Sequence, residues 1–600
     1  MELIIFSPLS IIVFRSILLG GSKKVKINVI NETMELTDVA DKWVFNEKYQ
    51  VWMLEDVLYT SKATAPAFQR LSIFVPKAYM KEAGVIDEAA TCNGYNAASV
   101  PVIFENNSAG YMQMPHTWID GPRNYALQYL EAGMVYVTCG NRGHETMNKD
   151  KTFCGKSPAN LIDLKTAIRF IRHNKGAIPG DMDKIISVGW SAGGAMSTLI
   201  AVTGDNAKYT KLLEENGAFM DESDSVFASQ IYCPIIDLEH ADLAYEWMFR
   251  ADKENEPSFA GPAATMTDFE DALSEKLYDE YIKYFNSLEL KNPENGELLV
   301  INEDGRSGSG YDYLLKKLSD SATKFIQKLS NKELPDRNYS VEDYLNGNYE
   351  YEKPAPAGPL PADEKDDKPD KAALQSFAGQ EVGLGDVDED EDIPFGLGAL
   401  MLRPANGKEP DELFKPQMMT VHGKQKTDWL ECVNGNARVT DLDKYVLNHR
   451  RRMKPCPSFD ILSGESGENK VFGNKNVNAI HFNEYIPRAI AELKEKYPDE
   501  YGKYYDSYSK DILDEGLDDR KYLINPLNFI GTDEVSKQAK YYRIRVGASD
   551  ADTSLSVSMT LACKLKEAGY PTDYELVWEQ PHSEADYQGE VIAWIEQITK

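Results

Sequence analysis

The stretch Lys184-Ile-Ile-Ser-Val-Gly-Trp-Ser-Ala-Gly-Gly-Ala-Met-Ser-Thr-Leu-Ile-Ala201 constrains this chain more than any other, because it reads as a buried strand that turns abruptly into a helix. Ser191 stands at the turn, in the frame Gly189-Trp190-Ser191-Ala192-Gly193. In this G-x-S-x-G pattern the glycines two before and two after the serine let strand and helix approach closely around a strained turn. A hydroxyl held there projects from the sheet, and the next backbone N–H, that of Ala192, points toward the oxyanion that attack would create. Alone, the pentapeptide also fits an ordinary strand-to-helix turn. The apolar strand before it and the Ser-Ala-Gly-Gly-Ala helix opening after it favour the catalytic reading.

From Leu71-Ser-Ile-Phe-Val75 onward, short apolar runs alternate with longer helical patterns. Strands are predicted near 70–76, 100–105, 135–139, 184–190 and 227–235, and helices over 121–133 and 159–175, the latter with Leu161, Leu164, Ile168 and Ile171 on one face. Strand alternating with helix implies a mostly parallel, doubly wound sheet covered on both sides. Ahead of it, residues 22–58 mix charged and apolar side chains around Trp43, Val51-Trp52 and Leu58, and read as an N-terminal strand and cover.

The rhythm is lost from 246 to 534 and resumes with Tyr541-Tyr-Arg-Ile-Arg-Val-Gly547, a helix over 553–568 and the strand Asp573-Tyr-Glu-Leu-Val-Trp578. The chain therefore divides into an extension (1–58), a first core part (59–245), an inserted cap over the carboxyl edge of the sheet (246–534) and a second core part (535–600). Ligands bind at that edge in open α/β sheets. Ala-Ser-Asp550-Ala-Asp552 follows one late strand and Gln580-Pro-His582 follows the next, so the order is Ser…Asp…His, that of an α/β-hydrolase. His582 is the candidate base for Ser191, being the one histidine of eight that follows both the serine and the acid in a loop after the last strand. Asp550, nearer its strand, is preferred over Asp552 as the acid that orients the imidazole. The loop Glu105-Asn-Asn-Ser-Ala-Gly-Tyr111 stands where this fold places the second oxyanion donor, which falls to Gly110 or its neighbour Ala109. Asn, Ser and Gly would equally make a plain turn there.

Composition narrows the partners. Sixty-five basic residues against 96 acidic ones leave a net charge of −31, which argues against nucleic acid or an anionic membrane surface. Part of the excess is local, since residues 363–392 hold twelve acids and three lysines within the Pro- and acid-rich tract 353–395, the composition of a solvated, disordered segment. Asp386, Asp388 and Asp390 suggest calcium, but an EF-hand loop needs glycine at its sixth position, where this chain has Glu391. Seven widely spaced cysteines without a C-x-x-C pair read as reduced structural thiols, so neither a metal site nor a cofactor is expected. The apolar start (Ile4 to Phe6, Leu9 to Phe14) lacks a basic n-region, is broken by Arg15 and has no A-x-A site; a cytoplasmic protein is expected, or a secreted one if residues 1–22 act as a signal peptide. The run is too short for the ~20 residues of a membrane span.

Four segments carry a family resemblance: Gly189-Trp-Ser-Ala-Gly-Gly-Ala-Met-Ser197, Tyr232-Cys-Pro-Ile-Ile-Asp-Leu-Glu-His-Ala-Asp-Leu-Ala-Tyr-Glu-Trp247, Arg543-Ile-Arg-Val-Gly-Ala-Ser-Asp-Ala-Asp-Thr-Ser554 and Pro581-His-Ser583. Together they resemble the bacterial tannases, α/β-hydrolase serine esterases that hydrolyse galloyl esters, over most of 60–250 and 415–600. The resemblance implies Asp550 as the triad acid and Asp552 as a substrate-binding acid. It extends to Arg451-Arg-Met-Lys-Pro-Cys-Pro-Ser-Phe-Asp460 and Glu468-Asn-Lys-Val-Phe-Gly473, implying that Lys454 and Glu468 reach from the cap to the phenolic hydroxyls, with Ile235 packed against the ring. Read by themselves, Lys454 would belong to a solvated basic turn and Glu468 would cap a loop. Ala109 stands where a second glycine would be expected. Fungal tannases and their feruloyl-esterase relatives place cysteines beside the catalytic serine and histidine; here Trp190 and Ser583 occupy those positions.

The implied substrate is a small phenolic ester. A feruloyl or cinnamoyl esterase, or a general carboxylesterase, would use the same frame without Lys454, Glu468 and Asp552 converging, and a non-catalytic binding protein would be expected to have lost part of the triad. For the acidic tract, deletion of residues 356–392 should leave both the melting temperature and ester hydrolysis nearly unchanged, because so few of its side chains are apolar enough to bury. A large loss of either in a thermal melt and an ester assay would show that the segment is folded or covers the site.

Overall fold

The computed structural model describes residues 34–117, 119, 125–256, 264–354, 418–423, 428–532 and 535–600. The acidic tract from 355 onward and the apolar start of the chain lie outside the described residues.

Nine apolar runs form one sheet: β1 (Val44–Asn46), β2 (Val51–Leu58), β3 (Arg70–Pro76), β4 (Pro101–Asn106), β5 (Val135–Cys139), β6 (Asp181–Trp190), β7 (Ala228–Tyr232), β8 (Tyr541–Gly547) and β9 (Thr572–Val577). Their spatial order is β1-β2-β3-β5-β4-β6-β7-β8-β9. The pairings among β1, β2, β3 and β5 are antiparallel, and every pairing from β5 across to β9 is parallel. This is the doubly wound, mostly parallel sheet that the strand–helix alternation predicts. All residues of β3, β4, β5 and β7 are buried, as expected of strands covered on both faces.

Two consequences position the site. Parallel pairing brings the carboxyl ends of β4 through β9 to one edge. The order also reverses between β4 and β6, because the chain runs from β4 outward to β5 and then returns to β6, and such a switch point opens a crevice at the carboxyl ends. The covering helices are α1 (Ala126–Glu131), α2 (Ala159–His173) and α3 (Ala192–Val202); every residue of α3 is buried.

The N-terminal region differs from its reading as one strand and cover. A 3₁₀ segment, Leu36–Lys42, leads into two strands, β1 and β2, at the edge of the main sheet. The β2–β3 register shifts between Leu54 and Val57, where Asp56 has φ of 63°, so the alternation that would mark β2 is interrupted within the strand.

The helix after β7, α4 (Leu238–Phe249), runs past position 245, so the last covering helix of the first core part continues into the cap segment. Cap helices follow as α5 (Asp268–Ser287), α6 (Ser309–Ser330), α7 (Leu442–His449), α8 (Gly467–Phe472), α9 (Tyr485–Glu492) and α10 (Pro498–Asp511), before α11 (Leu555–Glu567) and α12 (Glu590–Thr599) complete the core. Among the described residues no helix is long and apolar enough to cross a membrane.

The seam between core and cap is polar and buried, and α4 supplies it. Asp242 accepts from the backbone N–H groups of Ser458 and Phe459, both at 2.8 Å, and from Asn483 Nδ2 at 2.9 Å. One turn on, Glu246 forms a two-pronged ion pair with Arg452, with Nη1 2.9 Å from Oε2, and also accepts from Ser458 Oγ at 3.1 Å and Ser274 Oγ at 2.6 Å. Both charges of the pair are out of water, so removing one strands the other. Arg452→Met should therefore destabilise the protein by about 3–5 kcal/mol, read from the urea midpoint, whereas Lys444→Met, which breaks an exposed pair with Asp428, should leave the midpoint nearly unchanged.

Candidate active site

Ser191 is the N-cap of α3 and has φ of 59° and ψ of −127°, a backbone region that is costly for any residue with a side chain, by about 1–3 kcal/mol. Three hydrogen bonds hold it there. Its N–H donates to the Tyr232 carbonyl at 3.2 Å, and its carbonyl accepts from Ala195 N–H at 3.1 Å and Ile235 N–H at 3.2 Å. The flanking glycines are required by contact: a Cβ on Gly189 would stand 2.3 Å from the Gly193 carbonyl oxygen, and one on Gly194 the same distance from that of Tyr232. Asn106, at the end of β4, ties the turn from the side, donating through Nδ2 to Val188 O and Gly193 O, each at 3.1 Å, and to Ser197 Oγ at 2.8 Å. Ala192 opens α3, so its N–H belongs to the first turn, whose donors have no partner within the helix.

Asp550 and His582 meet past the ends of β8 and β9. His582 Nδ1 lies 2.8 Å from Asp550 Oδ2, while Asp552 Oδ2 stays 4.0 Å away. The other Asp550 oxygen accepts from Asp552 N–H at 2.9 Å. Burial opposes charge on the imidazole, but the Asp550 carboxylate, followed by Cys233 and Asp552, holds its pKa well above the usual value. Burial would likewise raise Asp550, but the facing imidazole, its hydrogen bond and then the Arg450 guanidinium hold the carboxyl below its usual range. The loop carrying His582 is anchored by Asp586, which takes both Arg543 Nη1 and Nη2 at 2.7 Å and the Tyr232 hydroxyl at 3.1 Å. Cys233, just past β7, joins the serine and histidine sides: its thiol is within hydrogen-bonding reach of the His582 ring and of the Ser191 N–H. Among the described residues, Cys233, Asp550 and His582 are the one group whose metal-type ligand atoms lie within 4.8 Å of one another, and two of the three are already bonded to each other.

After β4 the segment Ala109–Tyr111 makes a 3₁₀ turn in which Gly110 has φ of 58° and ψ of 19°. The positive φ values fall on Gly110 and Tyr111, not on Ala109, which is why position 109 tolerates a side chain. His144 pins this turn twice: its backbone N–H donates to the Tyr111 carbonyl at 3.1 Å and its ring hydrogen-bonds the Gly110 carbonyl. Burial, then the charges of Lys156 and Lys470, push the His144 imidazole down to about 3, so it is neutral at ordinary pH, and its Nδ1 is buried without a partner.

The remaining predicted residues come from both cap and core. Lys454 is buried with Nζ 3.8 Å above the Phe459 ring. Its backbone N–H donates at 3.2 Å to the Tyr245 hydroxyl, which itself donates at 2.9 Å to the carbonyl of Ala551, between Asp550 and Asp552. Asp552, the residue after Ala551, is buried as well. Glu468, half-buried in the first turn of α8, faces Tyr111, whose hydroxyl donates to the Ile235 carbonyl at 2.6 Å. Lys454 and Asp552 are thus brought to one locus and Glu468 and Ile235 to another, the second beside the Gly110 turn. Asn106, His144, Tyr245, Arg450 and Cys233 were not singled out from the sequence. Only Asn106 carried a local signal, as part of the polar run Glu105-Asn-Asn-Ser108 that ends an apolar strand.

The neutral His144 has a readable consequence. Its folded value lies below the ~6.5 of an unfolded histidine, so on acidification the unfolded chain takes up the proton first, and stability is lost as pH falls below about 6.5. Relative to His144→Gln, the wild type should lose about 1.4 kcal/mol of unfolding free energy per pH unit from this residue between pH 6 and 5. Parallel pH profiles for the two proteins in chemical denaturation would show that the imidazole is not held neutral.

A sequence-family profile, BD-FAE, matches residues 119–258, which include Ser191. No curated protein matches by sequence. Solved structures are similar over nearly the whole chain. Tannin acyl hydrolase from Lactobacillus plantarum is 26% identical, with a TM-score of 0.68, over 94% of this chain and 98% of that one. A tannin acyl hydrolase in complex with ethyl gallate is 27% identical, with a TM-score of 0.66, over 92% and 94%. The tannase of Fusobacterium nucleatum is 25% identical, with a TM-score of 0.65, over 92% and 95%.

Proposed function

We propose that this tannase-like α/β-hydrolase is a serine esterase that cleaves galloyl esters to gallate and an alcohol through an acyl-Ser191 intermediate. The observation that carries the reading is the 2.8 Å bond between His582 and Asp550 beside a serine held in the strained elbow conformation, within a chain similar over 94% of its length to a tannin acyl hydrolase.

In this reaction His582 takes the Ser191 Oγ proton as the oxygen attacks the ester carbonyl carbon. The negative charge that forms on the carbonyl oxygen is met by the backbone N–H groups of Ala192 and Gly110. Asp550 holds the imidazole with Nδ1 protonated and stabilises its cation. The tetrahedral intermediate then collapses: the C–O bond to the alcohol breaks, His582 passes its proton to the departing oxygen, and acyl-Ser191 remains. A water molecule deprotonated by His582 repeats the attack, releasing the acid and restoring the hydroxyl of Ser191. The imidazole must be neutral to begin each half-reaction. The carboxylates that raise its affinity for a proton therefore place the acid limb of the rate profile higher than an isolated histidine would.

The acyl group is recognised by its ring hydroxyls. Lys454 can only donate, and Asp552 and Glu468 as carboxylates only accept, so together they suit adjacent phenols that do both. Ile235 offers the ring an apolar contact. An acyl group without hydroxyls would leave these groups unpaired, and sites of that kind discriminate by about 10⁴–10⁵, against about 10² for a merely apolar pocket. Methyl gallate should therefore be cleaved far faster than methyl benzoate or methyl ferulate. Lys454→Ala and Glu468→Ala should remove most of the preference and leave slow nitrophenyl acetate hydrolysis nearly intact, while Ser191→Ala abolishes turnover of every ester. Comparable kcat/KM for gallate and benzoate esters would falsify the galloyl assignment and leave a general esterase.

A further inference from the structure

Tyr245 stands on α4 between Asp242 and Glu246, facing the cap, with its side chain fully buried. Its ring stacks on Phe249 with centroids 4.4 Å apart and meets Phe459 edge-on at 6.2 Å. The Arg452 guanidinium, paired with Glu246, lies 5.2 Å over the ring. Packing of this kind leaves the hydroxyl one position.

That hydroxyl joins two segments far apart in the chain. It donates to the Ala551 carbonyl at 2.9 Å and accepts from the backbone N–H groups of Met453 at 3.1 Å and Lys454 at 3.2 Å. A phenolic oxygen has one proton and two lone pairs, so all its hydrogen-bonding capacity is used. Ala551 sits between Asp550 and Asp552; the other two partners belong to the cap loop that ends in Lys454. The carbonyl of Lys454 is held as well, by Arg452 Nε at 2.8 Å. Arg450, earlier in the same loop, donates through Nη2 to the Thr553 carbonyl, a second tie between the two segments. Tyr245 touches neither Ser191 nor His582 in any hydrogen bond described above.

We propose that the Tyr245 hydroxyl is a positioning group for substrate choice: by joining Ala551 to Lys454, it sets the spacing of Lys454 and Asp552 that an acyl ring must span with its hydroxyls. The inference rests on the galloyl reading above and adds to it a residue that makes no contact with the ester. Polar recognition depends on the placement of both partners, and a displacement of about 1 Å can lose about 10²-fold in rate. Loss of the hydroxyl removes the tie nearest Lys454 and Asp552 and leaves the Arg450–Thr553 tie, while the Nδ1–Oδ2 bond between His582 and Asp550 is untouched.

The test is Tyr245→Phe in the full chain, assayed on methyl gallate, methyl benzoate and nitrophenyl acetate. The expected result is a fall of about tenfold or more in the gallate-to-benzoate ratio of kcat/KM, seen chiefly as a higher KM for methyl gallate, with kcat on nitrophenyl acetate changed by less than about twofold. Combined with Lys454→Ala, it should cause little further loss of the ratio, since both changes remove one interaction. An unchanged ratio, or equal losses on all three esters, overturns the proposal and leaves Tyr245 a packing residue. If the wild type itself shows no gallate preference, the galloyl reading fails, and this inference with it; a strong preference that survives Tyr245→Phe sinks the inference alone. Should the phenylalanine protein not fold, p-aminophenylalanine at 245 keeps a donor toward Ala551 but is a poor acceptor for the two N–H groups. It should lose part of the ratio, and full retention would again count against the proposal.

Discussion

Everything at this site hangs from the conformation of one residue. Ser191 occupies a backbone region that L-residues avoid, and it stays there because α3 lies so close to β6 and to the end of β7 that nothing larger than glycine fits at 189 or 194. The approach is possible only while β6 is paired on both sides, with β4 and β7, and while Asn106 bridges strand and helix. The sheet supplies the order that a strained turn lacks. The turn itself stands at the carboxyl edge, where the ends of β8 and β9 deliver Asp550 and His582.

The cap is joined to this frame differently. The sheet is held by apolar burial, whereas the seam along α4 is built from Asp242, Tyr245 and Glu246, each buried and each bonded to the cap. Buried polar seams contribute little net stability compared with packed hydrocarbon, but they demand one geometry, because any shift leaves groups unsatisfied in a low-dielectric interior. Such a seam holds the cap residues Lys454 and Glu468 in a fixed relation to the core. His144 does the same for the Gly110 turn, with a ring that burial keeps neutral and able to hydrogen-bond a carbonyl.

The legible parts of the site were those with a local cause. The serine elbow is a five-residue pattern of sterics, and the acid and histidine each follow a strand whose apolar alternation marks its end. The doubly wound sheet could be read for the same reason, since β3, β5 and β8 lie where their apolar runs stand. Elsewhere the local signal failed. The shift inside β2 breaks its alternation, so two edge strands looked like one strand and a cover. In Asp550-Ala-Asp552 either acid sits at the strand end, and proximity to the strand could only favour the first. In the folded chain the Asp550 carboxylate lies 2.8 Å from the imidazole and that of Asp552 4.0 Å.

What the sequence by itself determined is therefore the fold class, the order of serine, acid and histidine, and the insertion of a cap between them, because strand and helix periodicity and the glycine requirement of a tight turn act within a few residues. What only the tertiary structure decided is which distant segments meet, within the core and between core and cap. Asn106 meets Gly193 across 87 residues, Arg452 meets Glu246 across 206, and Tyr245 reaches Ala551 across 306. No periodicity links such partners. Their bonds exist because the parallel sheet brings its carboxyl ends to one edge, and a buried polar group placed there must find a partner among whatever elements the fold has put beside it.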